Sequence, residues 1–150
     1  MIITQNVYKK ILTAYPVPPP EQGGILGIKD GIVCEYFHDG SRGNTHRAVY
    51  EPDTELLNRV IGNWADNGIC FAGIVHSHIA GQETLSADDS EYINVIFNAM
   101  PEDITELYFP IIIPEKNALI SYSTQRKKQT VVIRPDDVQI IESKGGEKYD

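Results

Sequence analysis

The sequence lacks any apolar stretch long enough to cross a membrane, since no run approaches the roughly 18 residues that a transmembrane helix needs. Its first residues, 1–6, also lack the basic start and apolar core of a signal peptide. Cysteine is scarce, with 2 in 150 residues, which argues against a disulfide framework. We therefore expect a reduced, cytoplasmic protein with no membrane partner, in which Cys34 and Cys70 are small buried side chains of strands.

Positive charge is also in short supply. The 13 lysines and arginines face 21 acidic residues, and the formal net charge is -8 at pH 7. A surface that binds a phosphate backbone needs the opposite balance, so we expect no nucleic-acid partner. The basic triplet 126–128 has no basic surroundings and is predicted to be a solvated turn.

What the sequence does contain is typical of one folded domain. A chain of 150 residues is long enough for a substantial core. Its 41% hydrophobic and 23% charged residues are close to globular averages. We expect a single domain over residues 1–141, followed by a charged, glycine-containing tail, 142–150, that is predicted to be disordered.

Hydrophobic periodicity predicts an alternation of helices and strands. Apolar residues recur at helical spacing in three stretches, 4–14, 52–67 and 86–100. Strands are predicted at 23–28, 32–37, 46–50, 69–75, 107–113, 118–123 and 130–133. This order favours an α/β fold in which helices flank a mixed sheet.

The chemistry is concentrated in His76-Ser77-His78, which is followed after seven residues by Ser86 and then by Asp89. Histidines at i and i+2 share a face only in extended backbone, and a predicted strand directly precedes them. Their Cα atoms would lie about 6.7 Å apart, so both rings can reach one ion at about 2.0–2.1 Å. Two imidazoles and the Asp89 carboxylate form a three-ligand set for one catalytic Zn²⁺, which leaves a fourth position for water.

Some of these residues also have simpler interpretations. The pattern S-x-x-D before an apolar helix is typical of a capping box, so Ser86 and Asp89 could serve only to start a helix. The two interpretations are compatible in part, because a cap fixes the turn from which Asp89 would reach the metal. A lone histidine is more often a surface or satisfied core residue than a ligand, and we interpret His38 and His46 in that way.

A catalytic zinc also needs a general base. Zinc lowers the pKa of its water from 15.7 to about 7, and a positioned carboxylate then takes the proton during attack on a carbonyl. The sequence offers 21 acidic residues for this role. Glu21 stands out because it lies just ahead of the glycine-rich strand predicted at 23–28, where rigid backbone would hold it.

Together these residues resemble the JAMM motif of MPN (JAB) domain metalloproteases. That motif has a glutamate on an early strand, then H-S/T-H, seven residues, S, two residues and D. The matching positions in this sequence are Glu21, His76, Ser77, His78, Ser86 and Asp89. The context 21–27 looks like that of the small prokaryotic members. The resemblance covers nearly the whole chain and implies a cytidine-deaminase-like MPN/JAB fold.

The resemblance also implies an activity and a role for each residue. His76, His78 and Asp89 would bind zinc, Glu21 would act as general base, and Ser86 would help to stabilise the tetrahedral oxyanion. The implied protein is a zinc metallopeptidase that hydrolyses a peptide or isopeptide bond. Its implied partner is a ubiquitin-like or sulfur-carrier protein, cleaved at the C-terminal glycine.

Two features depart from the family, and one alternative function stays open. Ile79 stands where many members have a proline, which affects the path of the following loop. The chain is also too short for the two long insertions that position ubiquitin in dedicated eukaryotic deubiquitinases. The alternative is a non-catalytic MPN scaffold, a binding module of a larger complex. Such members usually lack motif residues, whereas all of them are present here.

Overall fold

The computed structural model describes residues 1–18, 20–40, 50 and 52–143. Within these ranges the helices are α1 (Gln5–Ala14), α2 (Thr54–Asp66) and α3 (Ala87–Ala99), with a short 3₁₀ helix at Pro114–Lys116. The strands are β1 (Ile2–Thr4), β2 (Gly23–Lys29), β3 (Ile32–Asp39), β4 (Cys70–Ser77), β5 (Glu106–Tyr108), β6 (Ile111–Ile113), β7 (Ala118–Lys127), β8 (Thr130–Asp136) and β9 (Gln139–Ile141). None of the described helices has the length and apolar content that a membrane span requires.

The strands of the described residues belong to one mixed sheet. Its order is β5-β7-β6-β4-β2-β3-β1-β9, and β8 pairs with β7. β2 is antiparallel to both β3 and β4, whereas β1 is parallel to β3 and to β9. β4 has β2 on one side and β6 on the other, so it lies in the interior of the sheet. The predicted α/β class, with a mixed sheet flanked by helices, is confirmed.

The helices cover both faces of the sheet. Ile11 of α1 belongs to one apolar cluster with Leu26 of β2. Leu57 of α2 and Phe97 of α3 belong to a second cluster with Ile25 of β2. Neighbouring residues of a strand point to opposite faces, so α1 covers one face while α2 and α3 cover the other.

Each α-helix begins at a side chain that caps it. Thr4, Asp53 and Ser86 each accept a hydrogen bond from a backbone N–H of the first turn, which has no partner within the helix. α2 ends at Asp66 with Asn67 as its C-cap, and Gly68 follows with φ at 74°, a left-handed conformation that glycine adopts without strain. The three predicted helices are confirmed apart from their terminal residues.

The structure corrects the predicted strands in two places. The stretch 107–113 is divided into β5 and β6 around Pro110, which has no backbone N–H to donate to a ladder. β1 and β9 could not be predicted from the sequence, because each is short and forms only by pairing with a distant segment. Of the strand predicted at 46–50, only residue 50 is among the described residues. His46 lies outside them. The tail predicted at 142–150 is described only to residue 143.

Two expectations about side chains are wrong. Cys34 is buried and free as expected, but Cys70, the first residue of β4, is exposed. The triplet 126–128 is not a solvated turn throughout, because Arg126 is a partly buried residue of β7. Its Nη2 donates to the Phe97 carbonyl oxygen at 2.6 Å, and its guanidinium lies 5.1 Å from the centre of the Phe97 ring. Arg126 thus binds the C-terminal turn of α3, where carbonyl groups lack helical partners.

Candidate metal site

β4 brings two histidines to one point. His76 is the next-to-last residue of β4 and His78 follows the strand, and both are buried, with 8% and 4% exposed. Their Nε2 atoms lie 2.8 Å apart, with the two rings at 74° to each other. The structure therefore brings together the imidazoles that the i, i+2 spacing in an extended segment predicts to converge.

Asp89 reaches the same point from the first turn of α3. Its Oδ1 lies 3.4 Å from Nε2 of His76, and its Oδ2 lies 3.4 Å from Nε2 of His78. The carboxylate also accepts a bond from the backbone N–H of Ser86 at 2.8 Å, while the Ser86 hydroxyl accepts one from the backbone N–H of Asp89 at 3.0 Å. This reciprocal pair is a capping box, and it holds Asp89 beside the histidines. The two interpretations of the S-x-x-D pattern are thus compatible for Asp89.

Ser86 itself is exposed, and its hydroxyl oxygen lies against the first turn of α3 through the bond from Asp89. The predicted capping role is therefore confirmed. The second role predicted for Ser86, donation to an oxyanion, stays a prediction.

Glu21 approaches the histidines from the segment that leads into β2. Its Oε1 lies 3.9 Å from Nε2 of His78. Glu21, His76 and His78 each offer one ligand atom within 4.8 Å of the others, an arrangement that could hold a metal ion. The β2–β4 register places Gly23 opposite His76, which is why a glutamate so distant in sequence arrives here. Two carboxylates, Glu21 and Asp89, therefore lie beside the two imidazoles.

Ser77 fastens the Glu21 segment to β4. The backbone N–H of Gln22 donates to the Ser77 hydroxyl oxygen at 2.9 Å, and the backbone N–H of Ser77 donates to the Gln22 carbonyl at 2.9 Å. Ser77 is completely buried. It ties the residue next to Glu21 to the residue between the two histidines. Ser77 belongs to the motif in the sequence, but the motif alone does not predict this link.

A backbone carbonyl fixes the tautomer of the neutral His78 ring. Its Nδ1 lies 2.8 Å from the Gln82 carbonyl oxygen, which can only accept a hydrogen bond. Nδ1 therefore carries the proton of the neutral ring, and Nε2 keeps its lone pair. This is the tautomer that binds a metal through Nε2.

The two carboxylates have different electrostatic surroundings. Burial raises the pKa of Glu21, and the nearby imidazoles of His76 and His78 only partly oppose this. Burial would also raise the pKa of Asp89, but its close contacts with the same two imidazoles hold that pKa well below its usual range. Pairs of acids whose surroundings drive their pKa values apart are typical of sites with divided acid–base roles.

A cavity of about 200 Å³ lies beside these groups. Besides Glu21, His76 and Asp89, its lining includes the rings of Tyr50, Tyr92 and Phe109. Apolar walls strengthen the electrostatic interactions inside such a cavity. A larger cavity of about 570 Å³ lies between the end of α3 and the β7–β8 turn, and it contains none of the predicted site residues.

Tyr50 lines the site but is not among the residues predicted for it. Its hydroxyl donates to the buried Asp39 carboxylate at 2.9 Å. A Cβ on Gly23 would lie 2.3 Å from the Tyr50 ring, so the ring fits against β2 only because glycine is there. The glycines at the start of β2 are the sequence feature that indicates that another side chain can pack so close to this strand.

Comparison with known proteins identifies the fold. No protein-family model matches the chain, and a search of curated proteins gives no match. Among solved structures, a protein from Desulfitobacterium hafniense determined in solution has a TM-score of 0.68 at 21% identity, over 95% of this chain and 94% of that one. A JAB1/MPN domain protein from Archaeoglobus fulgidus has a TM-score of 0.54 at 18% identity, over 95% of this chain and 100% of that one. The chain therefore has the fold of a JAB1/MPN domain.

Proposed function

We propose that this protein is a zinc-dependent metallopeptidase. The bond that it hydrolyses is a peptide or isopeptide bond at the C-terminal glycine of a ubiquitin-like or sulfur-carrier protein. One observation carries the proposal: His76, His78 and Asp89 converge, with Glu21 beside them, on a JAB1/MPN fold. The substrate class rests on the resemblance of these residues to the JAMM motif.

The donor set suits zinc. Two imidazole nitrogens and one carboxylate are a common ligand set for catalytic Zn²⁺. Ligand atoms about 2.0–2.1 Å from a tetrahedral ion lie about 3.3 Å apart. The two distances from Asp89 to the histidines, both 3.4 Å, match this value. The Nε2 atoms of His76 and His78, at 2.8 Å, would have to separate by about 0.5 Å to reach it.

The side chains around the ion divide the chemical work. When bound, zinc would polarise the scissile carbonyl and lower the pKa of a water molecule toward about 7. Glu21 takes the proton of the attacking water and passes it to the leaving amine. Its burial raises its pKa, which makes its carboxylate a stronger base. Ser86 donates a hydrogen bond to the oxyanion.

The experiment that tests this function is cleavage of a panel of fusions. The zinc-loaded protein is incubated with ubiquitin-like and sulfur-carrier proteins joined to a C-terminal extension, with and without a chelator. We expect cleavage directly after the terminal glycine of one or more carriers, lost with chelator and restored by zinc. Mass spectrometry of the products identifies the bond.

The control for the panel is His76→Gln, which removes one ligand and keeps a side chain of similar size. It should cleave nothing at any zinc concentration. A wild-type protein that binds zinc and cleaves no carrier would contradict the substrate class. A protein that takes up no metal would contradict the enzyme and favour the non-catalytic scaffold.

A further inference from the structure

A series of hydrogen bonds runs through the core on the α1 side of the sheet and ends at Gln22. The hydroxyl oxygens of Tyr15 and Tyr36 lie 2.5 Å apart, and the Tyr36 hydroxyl lies 2.8 Å from Nδ1 of His38. Nε2 of His38 lies 2.9 Å from Oε1 of Gln22. Tyr15 also packs edge-on against the His38 ring, with the centroids 4.7 Å apart. We call Tyr15, Tyr36, His38 and Gln22 the polar network; the two tyrosines are buried, and His38 and Gln22 are half-buried.

The bonds of His38 fix its state. Because Oε1 of Gln22 only accepts, Nε2 of His38 donates to it, and Nδ1 accepts from the Tyr36 hydroxyl. Burial lowers the pKa of His38, which agrees with a neutral ring. The sequence-based interpretation of His38 as a satisfied histidine therefore holds, with a particular partner at each nitrogen.

Gln22 connects this network to the metal site. Its side chain is held by His38, and its backbone N–H and carbonyl are both bonded to Ser77. Glu21 is the preceding residue and reaches His78. Ser77 stands between the two histidines. Three anchors on one residue thus set where the Glu21 backbone lies relative to His76 and His78.

We propose that the polar network, with His38 as its central residue, positions Gln22 and Ser77, and through them both Glu21 and the two histidines of the metal site. The network acts from the face of the sheet that α1 covers, whereas the Glu21 carboxylate lies beside the histidines. This inference rests on the proposed function, in which Glu21 acts next to the ion. Groups that orient the residues around a metal typically change metal affinity or activity by about 10–100-fold when removed.

Two variants cut the same connection at different points. His38→Phe keeps a ring against Tyr15 but removes both nitrogens, and Gln22→Leu removes the amide that His38 holds. The matched control is Thr124→Val, which removes a buried hydroxyl that donates to the Leu107 carbonyl at 2.9 Å, on strand β7, whose partners are β5, β6 and β8. We expect each of the first two variants to weaken zinc binding roughly 10-fold or more in a competition with a chromophoric chelator. Thr124→Val should bind zinc as the wild type does.

The double variant separates positioning from general destabilisation. If His38 acts through Gln22, His38→Phe combined with Gln22→Leu should bind zinc no more weakly than the worse single variant. Amide exchange measured by NMR in the metal-free protein gives an independent readout. The N–H groups of Gln22 and Ser77 should exchange roughly 10-fold faster in His38→Phe, while that of Val75 in the same strand region stays protected.

The outcomes are distinct. Wild-type zinc affinity together with wild-type exchange at Gln22 and Ser77 in His38→Phe overturns the positioning role, and so do additive losses in the double variant. If His38→Phe does not fold, Tyr36→Phe, which removes a single hydroxyl, is measured in the same ways and decides the matter.

A wild-type protein that binds zinc but cleaves no carrier contradicts only the proposed function, since zinc affinity and exchange still test the network. A wild-type protein that takes up no zinc contradicts both.

Discussion

Glu21 and Asp89 are chemically similar residues beside the histidines, but their electrostatic surroundings differ. Asp89 lies 3.4 Å from both imidazoles, and these contacts hold its pKa well below the usual range in spite of burial. Glu21 lies farther away, at 3.9 Å from His78, and burial raises its pKa. Asp89 therefore suits a permanently charged ligand, and Glu21 suits a group that gains and loses a proton.

Replacing Glu21 with glutamine tests this division. The amide keeps the shape of the side chain but cannot take a proton, so Glu21→Gln should bind zinc and lose at least about 100-fold in kcat. Zinc content and turnover of the cleaved carrier are measured on the same preparation. Glu55→Gln, in the first turn of α2, is the matched control and should be fully active. Full turnover in Glu21→Gln would exclude Glu21 as the base, and loss of zinc would assign it to the ligand set.

Ser86 is predicted to combine two roles, and Ser86→Ala measures each. Loss of the cap on α3 should lower the free energy of unfolding in urea by about 1 kcal/mol. Loss of a donor to the oxyanion should lower kcat by about 10²–10³-fold. Thr4→Val removes the cap of α1, so it should lose comparable stability and no turnover. A drop in stability with unchanged kcat would confine Ser86 to capping.

At the residue scale, the sequence predicts those site residues that can be recognised by their residue type and their spacing along the chain. His76 and His78 meet in the structure because side chains at i and i+2 of extended backbone share a face, and the cap of α3 holds Asp89 beside them. The contributions of Ser77 and Gln22 could not be predicted. Their contact joins residues 55 positions apart and depends on the register of β2 and β4.

Strand β4, which leads into the two histidines, contains a bulge that cannot be recognised from its apolar sequence. In the β2–β4 pairing the register shifts between Leu26 and Gly27, and Gly73 opposite this point has φ at 141°. A Cβ on Gly73 would lie 1.7 Å from the Tyr108 carbonyl oxygen. Glycine is therefore required by both conformation and space, and the bulge bends β4 just ahead of its histidines.

Two glycine substitutions separate these requirements from the general effect of adding a methyl group. Gly73→Ala should lower the free energy of unfolding by roughly 3 kcal/mol or more, because the methyl group meets backbone and the φ is strained. Gly62→Ala, in the interior of α2 with open space around it, should raise the free energy by about 0.5–1 kcal/mol. Urea unfolding measures both. Equal stability of Gly73→Ala and the wild type would show that β4 can form without the bulge.

At the element scale, hydrophobic periodicity predicts the three helices but neither the shortest strands nor the bulge. The three helices have apolar stripes and caps in their own sequences, so they could be predicted apart from their end residues. β1 and β9 could not, because three residues have no detectable period and each forms by pairing with the other. The bulge at Gly73 could not be predicted either, since an apolar run looks the same with or without it.

At the scale of the molecule, the candidate metal site joins three separate parts of the fold. Glu21 precedes β2, the histidines end β4, and Asp89 opens α3. The α/β class could be predicted from the order of helices and strands. The strand order could not, because it depends on pairings between distant residues, such as the parallel contact of β1 with β3. Convergence of the site is therefore a property of the whole fold.

An ion held by ligands from separate elements should stabilise the whole molecule. A ligand that binds only the folded state at 100 times its Kd adds about 2.7 kcal/mol. For a domain of this size that gain should raise Tm by roughly 5–10 °C. Thermal unfolding followed with zinc and then with excess chelator measures the shift.

The control for this shift is Asp89→Asn, which keeps the shape of the cap on α3 but loses the negative ligand beside the two imidazoles. Its Tm should respond to zinc by at most a small part of the wild-type shift. An equal shift in Asp89→Asn would mean that the stabilising ion is held without this carboxylate. The group of Glu21, His76 and His78 would then be the ligand set, and the general base would have to be sought elsewhere.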